Sequence, residues 1–207
     1  MKPKHLICGG LLLIAAALSL SGYNLWEGHR AAEAARQALE AMETIEAQTE
    51  TEAERAPEQP GPSVPEYVLH PEMEMPTVEI DGVEYIGTLT IPALGLELPI
   101  VSAWSDALLD LAPCRYTGSA YLGDLIIAGH NYRGHFGSLY RLTPGDEVQF
   151  TDTAGNVFSY GVSEIQELPD TALEEMEAGD WDLTLFTCTL SSASRVTIRC
   201  QRIGETA

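Results

Sequence analysis

The chain has 207 residues, 31 of them acidic against 11 basic, for a formal net charge of -20. A nucleic-acid binder needs clustered lysine and arginine to displace counterions from phosphate, so this balance argues against a phosphate-rich partner. The length suits one domain of about 100 to 150 residues with additional segments.

Those segments lie at the N-terminus. Lys2 and Lys4 are the only lysines, and both precede an uncharged run from Leu6 to Trp26 centred on Leu11-Leu12-Leu13-Ile14-Ala15-Ala16-Ala17-Leu18. A helix of about 20 such residues, rising 1.5 Å each, spans the roughly 30 Å hydrocarbon core of a bilayer. The flanking lysines predict a cytoplasmic N-terminus and an extracellular remainder. No convincing small-x-small cleavage site precedes Tyr23, Asn24 and Trp26, which favours an uncleaved single-pass anchor over a removed signal peptide. Residues 1–28 therefore read as cytoplasmic start and anchor.

Residues 29–56 predict a helical stalk, rich in Ala, Glu, Gln and Arg, with Leu39, Met42 and Ile45 as a thin apolar stripe. Such a stripe predicts a solvated spacer. Residues 57–76 carry Pro57, Pro60, Pro62, Pro65, Pro71 and Pro76, too frequent for helix or central strand, and read as a linker.

From residue 77 to 207 short apolar segments alternate with turn residues, the pattern of a mainly β sandwich or barrel. Asp81-Gly82 suits a tight hairpin between Val78–Ile80 and Val83–Tyr85. Further strands are predicted over Thr88–Ile91, Leu96–Val101, Asp124–Ala128, Glu147–Thr151, Val157–Ile165, Leu183–Thr187 and Arg195–Ile203. Two short helices are predicted: Ser105–Leu111, capped by Ser105, and Thr171–Ala178, with a Thr171/Glu174 capping box and Gly179 at its end.

Cys8 lies in the apolar run, which leaves Cys114, Cys188 and Cys200 outside, an odd number that implies at least one free thiol. Cys188 ends the apolar strand Leu183-Thr184-Leu185-Phe186-Thr187. Arg195 opens the next strand, and period-two alternation puts Arg195 and Arg199 on one face and Val196, Ile198 and Cys200 on the other. An arginine in a barrel wall is expected to face solvent or an ion partner. A guanidinium beside a thiolate also lies beside the substrate carbonyl, where it can stabilise an oxyanion, and Arg195 is nearer the loop than Arg199. His130 ends the apolar strand Leu125-Ile126-Ile127-Ala128-Gly129. His135, inside the loop 132–137, is expected to be a substrate-loop or surface residue.

Three ordered motifs, Ala128-Gly129-His130-Asn131, Thr184-Leu185-Phe186-Thr187-Cys188-Thr189 and Ser194-Arg195-Val196, resemble those of sortases, and the likeness extends from Thr88 to Ile203. It implies a closed eight-stranded β-barrel with short helices, here preceded by the transmembrane helix and the stalk. It implies a membrane-anchored cysteine transpeptidase of the Gram-positive cell surface, which cleaves a sorting signal such as Leu-Pro-x-Thr-Gly in secreted proteins. The acyl group then passes to an amine of a peptidoglycan cross-bridge or a pilin lysine. In that scheme Cys188 is the nucleophile, His130 the proton-transfer partner and Arg195 the oxyanion stabiliser, with Asn131, Thr187 and Thr189 as substrate contacts. The route uses no metal or other cofactor, and the sequence has no His/Cys cluster with zinc spacing. The resemblance also raises the linker as a lid over the site, as in pilus-building relatives, although no residue here demands it.

Two features depart from the family pattern. Phe186 replaces the small residue common before the Thr-Cys pair, which leaves the subclass open, with class B or D as candidates. Cys114 and Cys200 are extra thiols, and a disulfide between them would leave Cys188 free. Three rivals stay open: a cysteine protease without transfer activity, an extracellular β-domain that binds a wall polymer or protein, and a papain-like hydrolase. The last is disfavoured because His130 precedes Cys188 and both end strands.

Overall fold

The structure, a computed structural model, describes residues 3–55, 64–189 and 192–204, with side chains outside 3–8 and 46–55. Pro57, Pro60 and Pro62 of the predicted linker, Leu190 and Ser191 of the loop after Cys188, and the Cys8 side chain lie outside the described residues.

The Asp81-Gly82 hairpin forms as its sequence requires. Both residues adopt positive φ, 51° and 80°, as a two-residue turn matched to strand twist needs. The turn joins β1 (Val78–Ile80) to β2 (Val83–Ile91), which continues through a Pro92–Leu94 turn into β3 (Leu96–Val101). A short helix, Asp106–Leu109, precedes β4 (Cys114–Thr117) and β5 (Leu125–Ala128). The remaining strands are β6 (Glu147–Asp152), β7 (Val157–Pro169), β8 (Leu183–Cys188) and β9 (Ser194–Arg202).

The strand order is β1-β2-β3-β4-β5-β8-β9-β7-β6, and β6 pairs back onto β2. Strands β2 to β9 therefore form a closed eight-stranded ring, with β1 appended to its edge, and closure removes the free edges that would otherwise template aggregation. Alternation then sorts the side chains. Leu89, Ile91, Ile100, Leu125, Ile127, Phe150, Leu183, Leu185 and Ile198 are fully buried in one core.

Among the described residues four α-helices accompany the barrel: α1 (Pro3–Arg55), α2 (Glu66–Leu69), α3 (Asp106–Leu109) and α4 (Leu173–Glu177). Ser105 caps α3 as expected, its hydroxyl accepting from Leu108 N–H at 3.2 Å. The capping box predicted for α4 does not form. Ala172 is the N-cap and no side chain caps the helix, because a turn from Pro169 sets its entry, with Ala172 N–H donating to the Pro169 carbonyl at 3.1 Å.

The predicted solvated stalk also needs correction. Within α1, Ala31, Ala35, Ala38 and Met42 are at most 5% exposed, and the helix packs on β1 and β3. Leu11, Leu12, Leu13, Ile14 and Leu18, by contrast, are all more than half exposed in an apolar helix long enough to cross a membrane. The described part of the linker docks on the barrel wall: Tyr67 stacks on Tyr121 at 4.7 Å and edge-on to Phe158 at 5.3 Å, and Met75 is buried.

The proposed disulfide is absent; Cys114 and Cys200 are free and buried. Cys114 pairs with Ala128 at one end of β5, whereas Cys200 pairs with Leu183, itself level with Leu125 at the other end. That is about 10 Å along the strand, with two further strands intervening, against a Cα separation below about 7 Å that a disulfide needs.

Candidate active site

Strand β8 turns Leu183, Leu185 and Thr187 inward and Thr184, Phe186 and Cys188 outward, so Cys188 reaches the outer rim at the strand end, partly exposed. Its partner across the β8–β9 ladder is Arg195, on the same face. One guanidinium nitrogen of Arg195, Nη1, is buried with no hydrogen-bond partner among the described residues. A buried donor without a partner is costly to leave unmade, and this atom meets an incoming acceptor only when the side chain shifts toward the groove.

Strand β5 runs parallel to β8 with Ala128 level with Phe186, and Gly129 N–H extends the pairing by donating to the Phe186 carbonyl at 3.0 Å. Two residues further along each strand stand His130 and Cys188. Two contacts hold the loop after β5 at this level. Phe136 N–H donates to the His130 carbonyl at 3.0 Å, and Asn131 Nδ2 donates to the Thr189 carbonyl at 3.4 Å. Gly129 is needed for the first: a Cβ there would lie 2.5 Å from Phe136 Cδ2, and the ring is fully buried.

The His130 Nε2 atom lies 3.1 Å from Asp110 Oδ1, and its ring centroid is 4.8 Å from that of Tyr132. Asp110 closes the capped turn of α3. Neither contact was legible from the sequence, where Asp110 is one of 31 acidic residues and 20 positions from His130. A groove of about 600 Å³ opens beside the thiol, lined by Asn131, Phe136, Tyr140, Glu167, Cys188 and Thr189. Glu167 accepts a hydrogen bond from the Ser194 hydroxyl, next to Arg195. All three expected substrate contacts border this groove: Thr187 is 4% exposed, and Asn131 and Thr189 tie the two loops together.

Two expectations fail nearby. His135 is not a surface residue; it is fully buried against the backbones of Ala31 and Leu111, neither ring nitrogen makes a well-aligned hydrogen bond among the described residues, and desolvation pushes its pKa down to about 4. Arg199 does not face solvent, and its guanidinium bonds go to neutral acceptors, with Glu164 opposite it across the β7–β9 ladder close enough to act on its charge. Arg199 is 2% exposed and donates to the Met176 carbonyl at 2.8 Å, the Thr184 hydroxyl at 3.0 Å and the Glu175 carbonyl, which latches α4 to the outer face of the barrel. Among the described residues no cluster of His, Cys, Asp and Glu is placed to hold a metal ion.

A model of the sortase domain matches residues 89–203, more than half of the chain. The chain belongs to the sortase family. It is 28% identical over 121 residues to sortase A of Bacillus anthracis, covering 56% of this chain and 57% of that relative's length. Among solved structures it resembles sortase C1 of Streptococcus agalactiae (24% identity, TM-score 0.54, 61% of this chain and 72% of that one). It also resembles a lid mutant of sortase A from Corynebacterium diphtheriae (21% identity, TM-score 0.52, 58% and 71%). At these identities the structural likeness speaks for the sortase barrel itself. Sortases as a family are cysteine transpeptidases of the cell wall, and the N-terminal apolar helix is compatible with the membrane attachment typical of them.

Proposed function

We propose that this sortase is a membrane-anchored cysteine transpeptidase in which Cys188, His130 and Arg195 carry the reaction. The observation that supports this best is the pairing of Cys188 with Arg195 on one outward face, with His130 on the adjoining strand and an open groove beside them. In the proposed reaction the Cys188 thiolate attacks the threonine carbonyl of an LPxTG-like sorting signal, and the Arg195 guanidinium donates to the oxyanion. Protonated His130 then delivers a proton to the departing glycine nitrogen as the C–N bond breaks, leaving a thioester on Cys188. An amine of a cell-wall cross-bridge or a pilin attacks that thioester, His130 takes up the amine proton, and the thiolate is restored.

Residues 1–28 would form the cytoplasmic start and anchor, 29–56 the helical stalk, 57–76 the linker and 77–207 the catalytic barrel. The lysines ahead of the apolar run favour a cytoplasmic N-terminus and an extracellular catalytic domain. The described part of the linker stacks on Tyr121 and Phe158 and does not line the Cys188 groove, which speaks against a lid there.

The test is incubation of the full chain with sorting-signal peptides and amine acceptors, followed by mass spectrometry. A thioester mapped to Cys188, amine-linked product and the loss of both in Cys188→Ala are the expected results. Hydrolysis without transfer would make the protein a protease, and the absence of any adduct with any peptide would favour a binding domain.

A further inference from the structure

The N-terminal helix touches the catalytic loop as well as the barrel. Gly28 lies against Tyr132, with a Cβ there coming 4.0 Å from the Tyr132 Cβ, and Ala31 adjoins the buried His135. Ala32 meets Gly134 so closely that a Cβ on Gly134 would lie 2.5 Å from the Ala32 Cβ and 3.3 Å from its Cα. Glu27 and Asp110 both add to the burial that raises the Tyr132 phenol pKa, so the helix and the α3 turn flank the same ring. That ring packs on His130, whose Nε2 faces Asp110. Downstream, Ala35, Ala38 and Met42 bury the helix against the barrel. Upstream, the helix continues without a break into the exposed apolar segment that ends at Trp26. At 1.5 Å per residue, Ala32 stands only about 9 Å along the axis from Trp26.

From this continuity we infer that α1 is a positioning element of the active site: docked through Gly28, Ala31 and Ala32, it holds the loop Tyr132–Phe136 and through it His130. The inference rests on the proposed roles of His130 and of the apolar helix. The membrane-crossing segment, the stalk and the histidine loop then move as one body, and the reaction is carried out close to the lipid headgroups. Gly134 is the key to the seat. Its backbone conformation is open to any residue, so its side-chain limit comes from Ala32 and not from strain.

The experiment uses the full chain in lipid nanodiscs with a sorting-signal peptide and an amine acceptor. Gly134→Ala is expected to lower kcat about tenfold with KM unchanged, since displacing a catalytic group by about 1 Å can cost up to a hundredfold. Adding Ala32→Gly removes the opposing methyl and is expected to restore most of that loss, whereas Gln37→Ala on the exposed face of α1 is expected to change nothing. If Gly134→Ala fails to fold, Ala32→Leu presses the same contact from the helix side and is expected to give the same fall. Wild-type turnover in folded Gly134→Ala or in Ala32→Leu, or a Gly134→Ala loss that Ala32→Gly does not relieve, would overturn the inference. A fully active Cys188→Ala would instead overturn the proposed reaction, so the two failures are distinguishable.

Discussion

Asp110 Oδ1 lies 3.1 Å from His130 Nε2, joining the C-cap of a one-turn helix to the residue two beyond strand β5. The contact fixes which ring nitrogen faces the carboxylate and so which one is left for substrate. Both side chains are partly exposed, at 47% and 32%, so solvent screens the pair and its worth is at most about 1 kcal/mol. Asp110→Ala is therefore expected to lower turnover by about fivefold with no change in fold. Asp110→Asn, which keeps a hydrogen-bonding group, is expected to fall between the two. Steady-state kinetics of the three proteins decides this, and a Asp110→Ala variant with wild-type turnover refutes it.

Arg199 is expected to matter for stability more than for chemistry. Its guanidinium satisfies the Met176 and Glu175 carbonyls and the Thr184 hydroxyl from a position only 2% exposed. Arg199→Met fills much of the space but leaves those acceptors unpaired, at a cost of about 2 to 4 kcal/mol. For a chain of this size that is a drop in Tm of roughly 4 to 16 °C. Thermal unfolding followed by circular dichroism measures it, and an unchanged Tm would show that α4 is held by other contacts.

The parts of this site that could be read from the sequence are those whose signal is local. The strands ending at His130 and Cys188, the Asp81-Gly82 turn and the shared face of Arg195 and Arg199 follow from hydropathy period and turn chemistry within a few residues. Strand β4 is not legible in the sequence because Cys114–Thr117 is four residues long, shows no clean alternation and pairs with β3 at a single position. The docking of α1 was hidden for another reason. Leu39, Met42 and Ile45 look like the apolar stripe, yet the buried residues are Ala31, Ala35, Ala38 and Met42, and Ile45 is 38% exposed. Alanine adds little to a hydropathy pattern, and its value here is close approach to Gly134, a residue about 100 positions away. The Asp110–His130 contact and the latching of α4 by Arg199 are likewise non-local, and no spacing within either segment encodes them.

Thiol chemistry separates the three cysteines outside the apolar run. Burial pushes the pKa of both Cys114 and Cys200 up to about 12, and both are inaccessible, so neither supplies thiolate at neutral pH. Iodoacetamide applied to the folded protein at pH 7.5 is therefore expected to label Cys188 and to leave Cys114 and Cys200 unmodified, as peptide mapping would show. Under denaturing, non-reducing conditions all three should be alkylated. Failure of Cys114 and Cys200 to react there would mean that they are bridged.

The buried His135 makes stability depend on acid in a way that can be assigned to one residue. Its folded pKa, near 4, lies below the value of 6.5 expected once the chain unfolds. As pH falls through 6.5 the unfolded chain takes up a proton that the folded protein refuses, so folding weakens progressively until about pH 4 and no further below it. The difference of about 2.5 units corresponds to roughly 3 kcal/mol. The many carboxylates titrate over the same range, so the comparison must be between proteins and not between pH values alone. His135→Phe keeps a buried ring and removes the titration. Its stability relative to the parent, measured by urea unfolding, is expected to rise by up to about 3 kcal/mol as pH drops from 7 to 4. Because His135 is packed beside Ala31, the acid-sensitive step should include release of the N-terminal helix from the catalytic loop, and protease access to residues 28–42 should increase over the same interval in the parent alone. Parallel stability curves for the two proteins would show that this histidine is not held neutral in the fold.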